Sequence, residues 1–305
     1  MLVLLTKQSR PLYKWKINIL RVFNLTSTFQ VHSELKLERE IGRNMEERKD
    51  EQQQSMENKS KTHFVLVHGI GAGGWCWFKI RCLLEKSGYK VYCPDLKSAG
   101  IDPTDPNSIL KFEDYNKPLI DLLSILPEND KVILVGHSAG GLSVILVGHS
   151  AGGLSVTDAI HRFGKKINVA VYVGATMLRR GFLTDADIKD GVPDQSEHSD
   201  KREFQRKATY NMSPEEDATL AWMLSKVGPL QAISGATFSE SPEIDEVTRL
   251  YIKTLQDHTL KLEQQDAMIK KWPPSDVLVL ESDHCPMFST PSDLFGVLAK
   301  VANVN

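Results

Sequence analysis

Two serines of this chain stand in a pentapeptide that suits nucleophilic catalysis. Ser138 and Ser150 are each the centre of a Gly-His-Ser-Ala-Gly sequence. Such a Gly-x-Ser-x-Gly sequence, between a buried strand and a helix, is typical of a nucleophile elbow, in which the serine lies on a strained turn. The glycines are needed because side chains in their place would clash with the strand and the helix. The pattern predicts a hydrolase with a serine nucleophile.

A serine hydroxyl needs a general base, and the base must follow the elbow because the chain order in this fold class is serine, acid, histidine. Only His258 and His284 lie late enough in the chain. We predict His284 as the base, because it follows a predicted strand at 277–280 and strand ends deliver side chains to such sites. His258 directly follows Asp257, and adjacent residues rarely make the contact that a base and its carboxylate need.

We predict Asp257 as the carboxylate that orients the histidine, because a short loop connects it to a predicted strand at 250–253. Glu263 and Asp266 belong to the helical pattern that follows and are expected to face solvent. Asp283 points elsewhere if its neighbour His284 points inward.

The oxyanion of the reaction intermediate needs backbone N–H donors. We expect one from Ala151, directly after Ser150, and one from Ile70 in the Gly-rich loop at 68–74. This loop does not match a phosphate-binding turn, because it has neither a G-x-G-x-x-G with an acidic partner nor a Gly-Lys-Ser/Thr. The loop therefore does not predict a phosphate-binding site, and a metal site also lacks support in the sequence.

A perfect tandem repeat contains both serines: VILVGHSAGGLS occupies residues 132–143 and again residues 144–155. The repeat is too short and has too few copies for a solenoid, so it is a recent duplication or an error in the assembled coding sequence. We predict Ser150 as the nucleophile and Ser138 as the alternative. With Ser150, strand, elbow, helix and next strand run without interruption from Val144 to Val173.

Use of Ser138 would instead give the following helix twelve extra residues, several of them poor helix formers. If Ser150 is used, the first copy should bulge from the N-terminal end of the strand. Val132–Val135 would then lose their place in the core and leave an exposed apolar patch.

Short β-branched runs alternate with helical patterns from His63 onward. This alternation predicts an α/β protein with a mostly parallel sheet and helices on both faces, and the elbow makes it an α/β-hydrolase fold. Residues 178–246 interrupt the alternation, and we expect a small lid there. The predicted hydrolase domain is 63–305, with strands at 63–67, 90–93, 132–135, 169–173, 250–253 and 277–280.

Residues 1–62 are predicted to be a disordered or non-native leader. Residues 1–33 contain basic residues and no acid, which is the composition of an organelle transit peptide. The alternative is an extension upstream of a later start at Met45 or Met56. Residues 34–62 are rich in charge and Gln, and we expect a solvated helix or disorder. The expected location is cytoplasmic, or the plastid if residues 1–33 act as a transit peptide.

With a formal net charge of −2, the chain has no excess of positive charge that would indicate binding to nucleic acid or to an anionic membrane surface. No apolar run approaches the roughly 20 residues of a membrane span. The cysteines form no CxxC pair and are expected to be free thiols in a reducing compartment. The expected partner is a small-molecule ester, and a homodimer is compatible with the sequence.

Several specific motifs extend from His63 to the C-terminus. They are HFVLVHG (63–69), GWCW (74–77), KVILVGHSAGG (131–141), DGVPD (190–194), Tyr251–Leu255, QQDAM (264–268), KWPP (271–274) and ESDH (281–284). Through them the chain resembles the plant methylesterase family, relatives of the hydroxynitrile lyases. LKSAGIDPTD (96–105) and DGVPD are most similar to the branch that cleaves methyl indole-3-acetate. The resemblance implies hydrolysis of small hormone methyl esters to free acid and methanol, without a cofactor.

The resemblance also separates esterase from lyase. The lyases carry a lysine directly after the catalytic histidine and a threonine before the oxyanion-loop residue, where this chain has Cys285 and Gly69. A lyase needs the positive charge to stabilise departing cyanide, so ester hydrolysis is favoured over hydroxynitrile lyase activity. The repeat and a shortened stretch between Asp194 and Phe204 depart from the family. They leave open a non-catalytic protein that binds a hormone-like ligand, or a damaged copy.

Overall fold

The computed structural model describes residues 40–51, 53–54, 57, 62–127, 130–137, 151–181 and 202–304. The chain divides into two units, Met1–Met56 and Glu57–Asn305. In the first unit, residues 40–51 are helical and exposed to solvent. This helix is rich in charge and has no apolar face that could bury a core. Along the described parts of the chain, no helix is both long enough and apolar enough to cross a membrane.

The second unit is built on six parallel strands in the order β2-β1-β3-β4-β5-β6. The central strands are buried on both faces, as expected when helices cover a parallel sheet. All six strands predicted from the sequence are present, with ends that differ by at most two residues. They are β1 (Thr62–Val67), β2 (Lys90–Tyr92), β3 (Lys131–His137), β4 (Ile167–Val173), β5 (Thr248–Thr254) and β6 (Asp276–Leu280).

Helices cover both faces of this sheet. Phe64 and Leu66 of β1 belong to the apolar cluster of the first and last helices, α1 and α9. Val65 and Val67 point the other way and join the cluster of α2, α3 and α7. The helices are α1 (Phe78–Lys86), α2 (Phe112–Ile125), α3 (Ala151–Phe163), α4 (Arg202–Ala208), α5 (Glu215–Leu224), α6 (Leu230–Ser234), α7 (Leu262–Lys271), α8 (Pro286–Ser289) and α9 (Pro291–Val304).

A long insertion separates β4 from β5, where the sequence predicts a lid at 178–246. Its described residues 202–246 contain α4, α5, α6 and a 3-10 turn, and no strand occurs among them. Residues 182–201, which include the DGVPD motif, lie outside the described residues.

The structure corrects the prediction for the first copy of the repeat. Val132–Val135 are buried in β3, between β1 and β4, so the predicted bulge and exposed patch are wrong. The second copy begins α3 at Ala151. Because the two copies have identical sequences, packing alone favours neither of them. The chain connections decide: the first copy supplies β3, which follows α2 in the chain, and the second copy supplies α3, which precedes β4. The uninterrupted run predicted from Val144 is therefore wrong for the strand.

The strand and the helix that flank the predicted elbow therefore come from different copies of the repeat. A Cβ on Gly136, from the first copy, would lie 2.6 Å from the Gly152 carbonyl oxygen, and a Cβ on Gly152, from the second, 2.1 Å from that of His137. The strand and the helix thus meet in the close contact that an elbow requires. Residues 138–150, with both serines, lie between these two elements and outside the described residues.

Candidate active site

The predicted base and acid are in contact at the carboxyl edge of the sheet. His284 Nδ1 donates to Asp257 Oδ2 across 2.7 Å, and both side chains are fully buried. Asp257 follows the end of β5, and His284 follows the end of β6. The edge of a parallel sheet therefore brings together two residues from different loops. This pair can keep a proton on Nδ1 and leave Nε2 to act as a base.

Four further contacts hold the acid loop in place. Asp257 accepts from the Thr254 hydroxyl at 2.9 Å and from the backbone N–H groups of Thr259 and Leu260 at 2.9 and 2.7 Å. The Gln256 N–H donates to the Ser282 carbonyl at 2.9 Å and thereby ties this loop to the histidine loop. The carboxylate is thus oriented before any substrate binds.

The role of His137, the residue before the first serine, was not predicted from the sequence. Its Nε2 donates to the His284 carbonyl at 2.6 Å, and the two ring centroids are 5.0 Å apart. Burial, followed by the nearby His284, lowers the pKa of His137 to about 3, so this ring is neutral. His137 therefore fixes the backbone of the base. The sequence signal for this role was the position of His137 in the Gly-His-Ser-Ala-Gly motif, directly before a serine.

The predicted oxyanion loop is fixed by a second buried histidine. His68 Nδ1 donates to the Gly69 carbonyl at 2.7 Å, while its Nε2 accepts from the Leu96 N–H at 3.0 Å. Burial lowers the pKa of His68 and keeps the ring neutral, as these two contacts require. Ile70 follows in this loop, and Ala151 is the first residue of α3, where backbone N–H groups have no partner within the helix.

The insertion packs on the oxyanion loop from outside. The Lys226 N–H donates to the Gly71 carbonyl at 2.9 Å, and the Ser98 hydroxyl donates to the Val227 carbonyl at 3.3 Å. Gly228 lies against Ile70, because a Cβ there would be 2.2 Å from Ile70 Cγ1. The position of Ile70 therefore depends on the absence of a side chain at residue 228.

Gly228→Ala should lower kcat/KM for ester hydrolysis about tenfold, since a displaced oxyanion donor stabilises the transition state less well. The new methyl group must push on Ile70. Gly296→Ala is the matched control, because a Cβ there meets nothing within 4 Å. Steady-state kinetics of both purified variants measure the effect, and equal activities would mean that Ile70 is not an oxyanion donor.

A small cavity of about 20 Å³ lies between the oxyanion loop and the histidine loop. Trp75 and Phe288 are stacked on its wall with ring centroids 6.3 Å apart. The space holds about one water molecule. The lining residues are Gly71, Ala72, Trp75, Cys76, His137, Tyr210, Ser225, Cys285, Met287 and Phe288. A cleft of about 470 Å³ between the start of α2 and the end of α3 contains none of the predicted site residues.

Comparison with known proteins identifies the family. Residues 64–144 and 142–296 match the model of the alpha/beta hydrolase family. The chain is 47% identical to Methylesterase 17 of Arabidopsis thaliana over 280 residues, which cover 84% of this chain and 97% of that protein. The chain belongs to the plant methylesterase family. It is a carboxylic ester hydrolase by that membership, and the resemblance and the α/β-hydrolase fold predicted from the sequence are confirmed.

Two further comparisons support membership of this family. A pheophorbidase of Raphanus sativus is 39% identical and covers 80% of this chain and 95% of its own length. The crystal structure of methylesterase MES16 from Arabidopsis superposes with a TM-score of 0.68 at 37% identity, over 80% of this chain and all of that one. The two matches to the hydrolase model overlap inside the repeat, at residues 142–144. Each match therefore accounts for one copy of the elbow sequence.

The methylesterase site contains a neutral group where the lyase relatives are predicted to need a cation. Cys285 directly follows the predicted base and is buried, and this burial raises the pKa of its thiol well above the ordinary value. The thiol therefore carries no charge at physiological pH. Among the residues that the structure describes, no cluster of His, Cys, Asp or Glu could hold a metal ion.

Proposed function

We propose that this chain hydrolyses the methyl ester of a small carboxylic acid, with a plant hormone ester such as methyl indole-3-acetate as substrate. The observation that carries the proposal is the buried contact of 2.7 Å between His284 and Asp257. A histidine oriented by a buried carboxylate is the base that a serine nucleophile needs. Membership of the methylesterase family supports the ester class, and the hormone ester rests on the resemblance of residues 96–105 and 190–194.

In the proposed reaction, Ser150 attacks the ester carbonyl carbon while His284 takes the hydroxyl proton. The N–H groups of Ile70 and Ala151 donate to the oxyanion. As the intermediate collapses, the bond to the methoxy oxygen breaks, and His284 returns the proton so that methanol leaves. The Asp257 carboxylate stabilises the imidazolium. Water then attacks the acyl-serine by the same route and releases the free acid.

The reaction requires only a small-molecule ester and water, so we propose no cofactor, no metal and no macromolecular substrate. A homodimer is compatible with this chemistry. We propose a cytoplasmic location, with the plastid as the alternative if residues 1–33 act as a transit peptide.

Methanol release provides the direct test. The full-length protein is incubated with methyl indole-3-acetate and with a panel of other methyl esters, and methanol and free acid are quantified. We expect equimolar products, with the indole ester among the better substrates. Hydrolysis of other methyl esters alone would overturn the hormone assignment, and hydrolysis of none would overturn the function.

One alternative is favoured by a specific feature: residues 138–150 stand where a single copy would have one serine, between β3 and α3. A protein that binds a hormone-like ligand without catalysis would not need a correctly placed serine. Its melting temperature would rise when the ester binds, and no methanol would be released. Hydroxynitrile lyase activity is disfavoured by the neutral Cys285 thiol. Cyanide release from a cyanohydrin would establish it.

A further inference from the structure

Asp283, which precedes the predicted base, is a fully buried carboxylate. Its Oδ1 accepts from the Cys285 N–H at 3.0 Å, within the turn that carries His284. Its Oδ2 accepts from the Met212 N–H at 3.0 Å and from the Ser213 hydroxyl at 2.7 Å. One carboxylate therefore joins the histidine turn to the insertion.

The partner of Asp283 is the cap segment, defined here as Thr209–Ser213. It also contacts the acid loop: Asn211 Nδ2 donates to the Gln256 carbonyl at 3.1 Å, and the hydroxyls of Thr209 and Thr259 are 3.0 Å apart. The cap segment thus crosses both loops that carry the triad residues Asp257 and His284.

A cation also supports the cap segment. Arg206 Nη1 donates to the carbonyl of Tyr210 and, at 2.8 Å, to that of Ser213. Tyr210 is thereby held on the wall of the small cavity, with its ring centroid 6.3 Å from that of Phe288. The position of this aromatic wall follows from how the cap segment is bound.

We propose that Asp283 is a positioning residue for ester hydrolysis, which holds the histidine turn and the Tyr210 wall as one unit. The proposal rests on the proposed esterase function. A buried carboxylate with three donors is well suited to this role, because charge-assisted hydrogen bonds are stronger than neutral ones. Its two oxygens have separate tasks: Oδ1 orders the turn of the base, and Oδ2 orders the substrate wall.

Three variants separate these tasks. Ser213→Ala removes one donor to Oδ2 and leaves the histidine turn intact. Asp283→Asn weakens both sets of contacts. Ser289→Ala is the matched control, because the Ser289 hydroxyl donates to the Cys285 carbonyl at 3.2 Å but does not contact the cap segment.

The readouts are the labelling rate of the nucleophile by a fluorophosphonate, and kcat and KM for p-nitrophenyl acetate and p-nitrophenyl phenylacetate. For Ser213→Ala, we expect KM for the phenylacetate to rise about fivefold, while labelling and acetate hydrolysis stay within about twofold of wild type. Asp283→Asn should in addition slow labelling about tenfold. Ser289→Ala should stay within about twofold on every readout.

An unchanged phenylacetate KM in Ser213→Ala would overturn the wall assignment. Wild-type labelling of Asp283→Asn together with a lower melting temperature would reduce Asp283 to a structural role. These p-nitrophenyl assays do not require methyl ester turnover, so a failure of the proposed substrate class leaves this test intact. Absence of labelling in the wild-type protein would overturn the esterase function and this proposal together.

Discussion

Replacing Ser150 by alanine should lower kcat/KM for p-nitrophenyl acetate by at least about 10⁴-fold. Ser150 directly precedes Ala151, which starts α3, and Gly152 packs against the end of β3. In the proposed site, an acyl group attached to Ser150 would lie beside the Ala151 N–H. Loss of its hydroxyl leaves His284 and Asp257 without a nucleophile to activate.

Ser138→Ala is the matched control for this experiment, because it removes the same hydroxyl from the same pentapeptide. We expect its kcat/KM to stay within about threefold of wild type. Ser138 adjoins His137 at the end of β3, so the opposite pattern, an inactive Ser138→Ala and an active Ser150→Ala, would move the nucleophile to the first copy. Mass spectrometry of the fluorophosphonate adduct would locate it independently.

Deleting residues 138–149, which removes the length of one copy of the repeat and keeps Ser150, should raise both activity and stability. The serine would then join His137 to Ala151 directly, in the geometry for which Gly136 and Gly152 are already packed. A fixed nucleophile reacts faster than one on a long connection, and we expect kcat to rise about 100-fold. Shortening the connection should add about 2 kcal/mol to the free energy of unfolding. That corresponds to about 5 °C in melting temperature.

A length-matched control replaces residues 139–149 with a Gly/Ser segment and keeps Ser150. If connection length is the cause, this control should behave like wild type, and only the deletion should gain activity. Equal activity and melting temperature of the deletion variant and wild type would mean that the extra residues do not disturb the elbow. Thermal unfolding and steady-state kinetics measure both quantities.

Much of the fold was predictable because its signals are local. The apolar runs that form β1 and β4 are buried almost throughout, and strands that are buried on both faces are nearly continuous apolar stretches in the sequence. Asp257 and His284 followed from chain order together with their place just after predicted strands. Their contact confirms that the edge of the sheet brings them together, and their catalytic roles stay a prediction.

For the repeat, local sequence signals are not sufficient to predict the structure. Two identical sequences have identical propensities and burial, so no local argument could assign the strand to the first copy and the helix to the second. Asp283 is a similar case: it was not predicted as the triad acid, and its contacts with Met212 and Ser213 bridge distant parts of the chain. Such contacts depend on how the insertion packs.

The strand and the helix that flank the predicted elbow come from different copies of the repeat, and this has a consequence for the gene. Any contiguous twelve-residue deletion that begins between Val132 and Val144 yields the same protein, because the two copies are identical. Many different in-frame events would therefore converge on one chain with an uninterrupted elbow. Since Gly136 and Gly152 already hold their positions, such a revertant would need no compensating change elsewhere. The duplication is an alteration that a single recombination step can erase.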